Sequence, residues 1–183
     1  MNSLADFDNH RIYVASSWRN AQQPAVVKAL RDAGHHVYDF RNPAPGVKGF
    51  SWAQIDPEWE SWDPENFRKA LNDPIAEKGF NLDWEAMEWA DTGVLVLPSG
   101  RSAHIEAGYF VGTRKRLVIL LAPGEPELMY KMSSHLCVNI EEVIDALRPP
   151  GLLESAKSFL LEKGMILDGL THQQMVVLYD RLR

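Results

Sequence analysis

The sequence predicts an α/β fold in which helices cover both faces of one parallel sheet. Short apolar runs rich in β-branched residues and leucine recur along the chain, which is typical of strands buried on both faces. These runs alternate with segments of helical length and periodicity, an alternation that indicates a doubly wound parallel sheet.

Five segments are predicted as strands: 12–15, 36–40, 93–97, 117–121 and 136–138. Between the first two, a helix from Pro24 to Asp32 makes a strand–helix–strand unit, whose strands are parallel and whose crossover is right-handed. Further helices are expected at 64–71, 74–78, 83–89, 102–111, 126–132 and 140–147. The expected fold is flavodoxin-like, with strand order 2-1-3-4-5 and a switch point between the first and third strands.

Pro149, Pro150 and Gly151 divide the chain into an α/β domain, residues 1–148, and a C-terminal helical extension, residues 149–183. Residues 1–10 are predicted to be a loose lead-in. Thr171 and Gln174 fit a capping box that starts a last helix ending near Leu182. The apolar residues of this tail exceed what a free helix should expose, so the extension is expected to pack on the domain or on a partner chain, in at least a dimer.

Composition excludes several classes of protein. The chain has 183 residues, a net charge of −6 and no basic stripe, so a duplex nucleic-acid partner is not expected. One cysteine allows no internal disulfide, and no Cys-x-x-Cys pair suggests zinc. No apolar stretch could span a membrane and no signal-peptide pattern is visible. We therefore expect a cytoplasmic protein without metal or cofactor.

The stretch from Ala90 to Gly112 carries the main candidate site. A buried strand is followed by turn residues, and Ser102 is expected to cap a helix that runs to about Val111. Glu106 then lies in the first turn, where the helix dipole favours its ionised form. It also lies beside the carboxyl end of a central strand, where open α/β sheets bind ligands.

Each candidate also has a purely structural interpretation. Glu106 resembles any solvated first-turn glutamate, and spacing alone favours that interpretation. Asp83 fits a helix N-cap, Asp91 a surface residue at a helix end, and Tyr13 a core aromatic. The tryptophans of the Pro-rich segment 41–64 could pack that loop down or form an aromatic wall for a flat ligand.

Other catalytic motifs have little support. The chain lacks a Gly-x-Gly-x-x-Gly fingerprint and a Walker loop, which argues against dinucleotide and P-loop folds. Ser102 and His104 are two residues apart on a helix and cannot face each other, which argues against a serine hydrolase. One carboxylate in a crevice with a second acid suits cleavage of a glycosidic bond.

Three segments resemble the nucleoside 2-deoxyribosyltransferase family and its nucleotide N-glycosidase relatives. The first is Tyr13–Arg19. The second is Asp83 together with residues 90–97, and the third is Pro98–Gly108 together with the strand at 117–121. The resemblance covers roughly residues 11–147. The His-Ile-Glu-x-Gly form of the third segment is most similar to the branch that hydrolyses cytidine monophosphate.

The resemblance implies cleavage or transfer at the N-glycosidic bond of a nucleoside or nucleotide, in a homo-oligomer. It implies that Glu106 is the nucleophile, that Asp83 assists protonation of the nucleobase, and that Tyr13 lies near the reacting centre. The residues expected to bind substrate are Ser16, Ser17, Trp18, Arg19, Trp52, Asp91, Ser99, Gly100, Ser102 and His104. Two alternatives remain open: an NAD hydrolase of the TIR-like kind, and a non-catalytic nucleotide-sensing module.

Overall fold

A computed structural model of the chain describes residues 9–149 and 151–182 and has a flavodoxin-like α/β fold. All five strands are parallel and run in the order β2-β1-β3-β4-β5, which confirms the predicted fold class. The strands are β1 Arg11–Ala15, β2 His36–Asp39, β3 Thr92–Val96, β4 Arg116–Leu120 and β5 His135–Cys137. Every predicted strand boundary agrees within one residue, and the central strands β1, β3 and β4 have the apolar pattern of buried parallel strands.

The strands are joined and followed by helices α1 Gln23–Asp32, α2 Pro64–Ala70, α3 Pro74–Trp89, α4 Arg101–Gly112, α5 Ile140–Ala146, α6 Leu152–Glu162 and α7 His172–Leu182. Helices α1 and α5 cover one face of the sheet, with Val26, Leu30 and Val143 in that core. Helices α3 and α4 cover the other face, where Met87 and Phe110 pack. The sheet is therefore doubly wound, and its central strands are buried on both sides.

Helix α3 is one continuous helix, whereas the sequence suggested two short ones. Asp73 caps it by accepting from the backbone N–H of Ile75 at 2.8 Å, and Pro74 occupies the first turn. Gly79 does not interrupt the helix, because the Phe50 ring packs over it so closely that a Cβ atom there would approach Phe50 to 2.7 Å. Asp83 is therefore a mid-helix residue, and its interpretation as an N-cap is wrong.

Helix α4 begins one residue earlier than predicted. Gly100 is the N-cap residue and makes no side-chain cap bond, so Ser102 is not the cap. Glu106 is consequently the sixth residue of α4, beyond the first turn in which the helix dipole acts. Ser102 is exposed at the start of the helix.

Helix α4 approaches β3 closely because Gly93 has no side chain. A Cβ atom at Gly93 would lie 2.7 Å from the Phe110 ring. Gly93 pairs with Tyr13 in the sheet, so Phe110 packs beside Tyr13, with ring centroids 6.0 Å apart. This contact sets the height of α4 above the sheet.

The C-terminal extension contains α6, which the sequence did not specify, and α7. The capping box of α7 is confirmed, since the Thr171 N–H donates to Gln174 Oε1 at 2.8 Å and the Gln174 N–H donates to Thr171 Oγ1 at 3.2 Å. His172 contacts α5 through Asp145. The predicted lead-in at residues 1–10 falls mostly outside the described residues, as does Pro150.

Two further features concern chemistry away from the sheet edge. Cys137 in β5 is a free, buried thiol, and burial followed by repulsion from Glu142 raises its pKa to about 11. None of the helices in the described ranges is both long and apolar enough to cross a membrane.

Candidate active site

The loops that follow β1 and β3 lie side by side at the carboxyl edge of the sheet, as predicted for the switch point. The Ser16 hydroxyl donates to the Val96 carbonyl at 2.9 Å. The buried Asn20 amide donates to the carbonyls of Val96 and Pro98 at 3.2 and 3.1 Å. Ser16 therefore joins the two loops, and its hydroxyl proton is engaged within the protein.

Two stacked tyrosines form the floor of the site. Tyr13 on β1 and Tyr38 on β2 are paired in register, and their ring centroids are 5.4 Å apart with an angle of 13° between the planes. Tyr13 is 1% exposed. The Tyr38 hydroxyl donates to Asp83 Oδ1 at 2.8 Å, whereas Tyr13 lies close enough to Glu106 for the two groups to alter each other's pKa. Tyr38 thus holds Asp83 directly, and Tyr13 acts on Glu106.

Both carboxyl groups are half-buried and hold protons unusually strongly. Burial, and then repulsion from Asp83, raises the pKa of Glu106 to about 7, although the Tyr13 hydroxyl opposes the change. Burial raises the pKa of Asp83 to about 6, against the opposing hydrogen bond from Tyr38. Repulsion between the two charges raises the pKa of the group that ionises second, which here is Glu106. The two titrations are therefore coupled.

The expectation that the helix dipole keeps Glu106 ionised is therefore wrong. Glu106 lies beyond the first turn of α4, and desolvation outweighs what remains of the dipole. Asp83 has the lower pKa of the two and ionises before Glu106. Of two such carboxyl groups, the protonated one can donate a proton while the ionised one acts as a base or nucleophile at the same bond.

The tyrosines remain hydrogen-bond donors. Burial raises the pKa of Tyr13 far above its usual value, and Glu106 and Asp83 add to the effect. Burial also raises the pKa of Tyr38, with Asp83 as the next cause. Neither phenol loses its proton in any ordinary pH range, so each can only donate to its carboxylate partner.

His104 and Ser99 form a separate cluster. His104 Nε2 lies 2.8 Å from the Tyr130 hydroxyl, and Nδ1 lies 2.9 Å from the Gly100 carbonyl and 3.4 Å from Ser99 Oγ. Residues two apart on a helix point to opposite flanks, so His104 points away from Glu106. The structure therefore does not join His104 to the carboxyl pair, although Gly100 and Ser99 remain at the carboxyl end of β3.

Arg41, which the sequence did not single out, holds the loop after β1. Its Nη2 donates to the carbonyls of Ser17, Trp18 and Asn20 at 2.8 to 3.0 Å. Its guanidinium also lies over the Trp18 ring, which is half exposed. The backbone of the loop is therefore fixed while the Trp18 ring faces solvent. Ser17 Oγ accepts from the backbone N–H of Arg19 at 3.2 Å, a contact internal to this loop.

Arg19 extends away from the rest of the loop. Its side chain is 86% exposed, and its guanidinium lies 3.8 Å from Glu60. An exposed pair at this distance contributes little to stability. Arg19 is thus available to a ligand but is not positioned by its surroundings.

The aromatic segment 41–64 lies against α3 through Phe50 rather than through Trp52. Phe50 covers Gly79, one helical turn before Asp83. Trp52 packs edge-on against Phe50, Trp62 and Phe67, so its contacts are with other aromatic residues of this segment and of α2. Phe50 is therefore the aromatic residue through which this segment contacts α3, and the aromatic wall for a flat ligand stays a prediction.

Asp91 lies at the opposite edge of the sheet, and its assignment as a substrate-binding residue is wrong. It precedes β3, and its carboxylate accepts from the backbone N–H of Arg11 at 3.1 Å and lies 3.2 Å from His10 Nδ1. These contacts hold the amino ends of β1 and β3 together. Although desolvation opposes them, the hydrogen bonds prevail and hold the pKa of Asp91 below its usual value.

A cavity of about 820 Å³ opens beside Tyr38 at the outer edge of the sheet. It lies between β2, the turn at 42–48 and the flank of α3, and charged residues of both signs line it, among them Arg31, Lys48 and Glu85. Neither Glu106 nor Asp83 lines this cavity.

Tyr38 is the main site residue that the sequence did not identify. The sequence could have indicated it, because aligning the first two predicted strands places this tyrosine opposite Tyr13. Among the described residues, no group of three or more His, Cys, Asp or Glu side chains could hold a metal ion. Neither a protein-family model nor a curated protein matches the chain.

Proposed function

We propose that this protein cleaves the N-glycosidic bond of a nucleoside or nucleotide, or transfers the sugar between bases. The observation that supports this most directly is the pair of half-buried carboxyl groups Asp83 and Glu106, whose pKa values are raised to about 6 and about 7. An N-glycosidic bond breaks most readily when one group protonates the departing base and an anion faces the anomeric carbon.

The proposed reaction assigns the two carboxyl groups different tasks. Asp83, in its protonated form, gives its proton to a ring nitrogen of the base as the C1′–N bond breaks and its electron pair leaves with the base. The Glu106 carboxylate attacks C1′ and forms a glycosyl ester. Water then attacks C1′, Asp83 takes up the proton of that water, and Glu106 leaves as a carboxylate; with a second base in place of water, the outcome is transfer.

The surroundings suit such a substrate. Trp18 in the loop after β1 is half exposed, and Phe50 packs on α3 one turn before Asp83; flat bases stack on aromatic faces of this kind. Gly100 and Ser102 at the start of α4 supply backbone and hydroxyl groups for sugar hydroxyls or a phosphate. A soluble cytoplasmic enzyme of nucleotide metabolism, acting as a homo-oligomer without a cofactor, fits this proposal.

A panel of substrates tests the proposal. The protein is incubated separately with nucleosides, with nucleoside monophosphates and with NAD, and released base is measured by chromatography. Glu106→Gln is run in parallel, and Glu88→Gln, an exposed glutamate on α3, serves as the matched control. Release from nucleosides or monophosphates that Glu106→Gln abolishes supports the proposal.

Two other outcomes overturn it. Release of nicotinamide from NAD alone would make the protein an NAD hydrolase that uses the same pair. Saturable binding of a nucleotide without any release would make it a sensing module.

A further inference from the structure

Asp83 and Glu106 differ in how firmly a neighbour holds them. Asp83 Oδ1 accepts a hydrogen bond of 2.8 Å from Tyr38, a short bond from a donor that keeps its proton. Charge-assisted bonds of this kind are about twice as strong as neutral ones. The Tyr38 ring stacks on the buried Tyr13 ring, which supports the side chain that presents this donor to Asp83.

The groups that act on the pair come from every element packed around it. Tyr13 of β1 and Asp83 of α3 act on Glu106 of α4, Tyr38 of β2 donates to Asp83, and Asp39 acts on Tyr38. Burial raises the pKa of both carboxyl groups, and the hydrogen bond from Tyr38 opposes this change at Asp83. Tyr38 is therefore the neighbour that favours ionisation of Asp83.

We propose that Tyr38 is a positioning residue for the carboxyl pair: its hydroxyl holds Asp83 as the ionised member, so the shared proton resides on Glu106 while the site is empty. Glu106 is then neutral and a poor nucleophile until substrate arrives. The remainder of this inference rests on the proposed function. A bound base offers a nitrogen to Asp83, and the proton must move from Glu106 to Asp83 before the C1′–N bond can break. Tyr38 thereby keeps the nucleophile at rest in the absence of substrate.

Tyr38→Phe tests this role, because it keeps the stacked ring and removes only the donor. The carbon-13 signals of the side-chain carboxyl groups of Asp83 and Glu106 are followed from about pH 3 to 9 in the empty protein. We expect the midpoint of Asp83 to rise by about one pH unit in the variant, which corresponds to loss of one hydrogen bond to a charged group. Tyr109→Phe is the matched control, since Tyr109 packs between α3 and α4 against Trp84 and should leave both midpoints unchanged.

Asp83→Asn tests the order of ionisation in a protein that keeps Tyr38. If Asp83 ionises first, its removal takes a negative neighbour from Glu106, and the midpoint of Glu106 should fall. An unchanged Glu106 midpoint would overturn the proposed order. If Tyr38→Phe does not fold, this measurement still tests the order of ionisation on which the proposal depends.

Kinetics provide an independent readout. The pH dependence of kcat/KM reports the groups of the free enzyme, so in Tyr38→Phe both limbs of the profile should move to higher pH. A merely structural role would lower the profile without moving it. Unchanged carboxyl midpoints in Tyr38→Phe would overturn the role of Tyr38, whereas absence of base release by the unaltered protein would overturn only the proposed function.

Discussion

At the scale of single residues, the chemistry depends on burial more than on residue type. The same glutamate on the surface of α4 would ionise normally, but beside Tyr13 and Asp83 it keeps its proton to about pH 7. The sequence indicated that Glu106 lies in the crevice. It could not indicate the pKa, because desolvation depends on α3 and β2, which are distant along the chain.

Glu106→Gln keeps the size and polarity of the side chain and removes its charge and nucleophilicity. We expect base release to fall at least about 1,000-fold while substrate binding is retained, because the interaction that is lost belongs to the transition state. Stopped-time assays and equilibrium binding measure the two effects. Release at a rate near that of the unaltered protein would make Glu106 a structural residue.

Asp83→Asn should affect substrates unequally. A purine nucleoside methylated at N7 already carries a positive charge and departs without a proton, so its cleavage should be partly spared. An ordinary nucleoside, whose base must be protonated, should lose about 100-fold or more in kcat. Equal losses on both substrates would show that Asp83 does not supply the proton.

The two raised pKa values also predict a pH dependence of stability. Between about pH 4 and 7 the folded protein binds more protons than the unfolded chain, so the free energy of unfolding falls as pH rises. Glu106→Gln removes part of this dependence. In urea unfolding it should match the unaltered protein near about pH 4 and exceed it by about 2 kcal/mol near about pH 8. A variant that is less stable at both values would contradict the assignment.

At the scale of elements, close contacts decide what local preferences leave open. The sequence suggested a break before Asp83, yet α3 is continuous because Phe50 packs on Gly79 and the capping residue lies far upstream at Asp73. The start of α4 was misplaced for a related reason, since Gly100 and Ser102 are both acceptable caps and only the turn from β3 selects between them.

Gly93→Ala tests the contact between β3 and α4. The added Cβ would meet the Phe110 ring at 2.7 Å, and the helix that carries Glu106 would have to rise. We expect a loss of about 1–3 kcal/mol in unfolding free energy, together with slower base release. Gly108→Ala in the same helix meets nothing within 4 Å and should be neutral or slightly stabilising. Equal effects of the two changes would mean that the contact does not position α4.

At the scale of the whole molecule, the sheet was predictable because its signal is local. The central strands β1, β3 and β4 are short apolar runs, and the alternation of strands with helices indicates a parallel sheet without knowledge of distant contacts. The extension was less predictable: Met175 of α7 packs inward and is 7% exposed, whereas Ile166 between α6 and α7 is 82% exposed. Periodicity alone did not separate these two environments.

The exposed apolar residues of the extension lead to a prediction about assembly. Leu161, Ile166 and Val177 are all exposed, and we expect them to be covered by a second copy over more than about 1,000 Å². Sedimentation at micromolar concentration should show at least a dimer, and Ile166→Asp combined with Val177→Asp should dissociate it. Ile105→Asp, in the exposed flank of α4, is the control that should leave this contact intact. A monomer in the unaltered protein would contradict the prediction.

The single thiol of the chain has a practical consequence. Cys137 lies beneath α5 in the outermost strand of the sheet, and its high pKa leaves almost no thiolate near neutrality. A thiol reagent should therefore label the native protein only as fast as β5 detaches. The rate of labelling, followed by absorbance, then measures how often this edge of the sheet opens, without any engineered probe. If β5 can detach only when no nucleotide is bound, a nucleotide should lower the labelling rate.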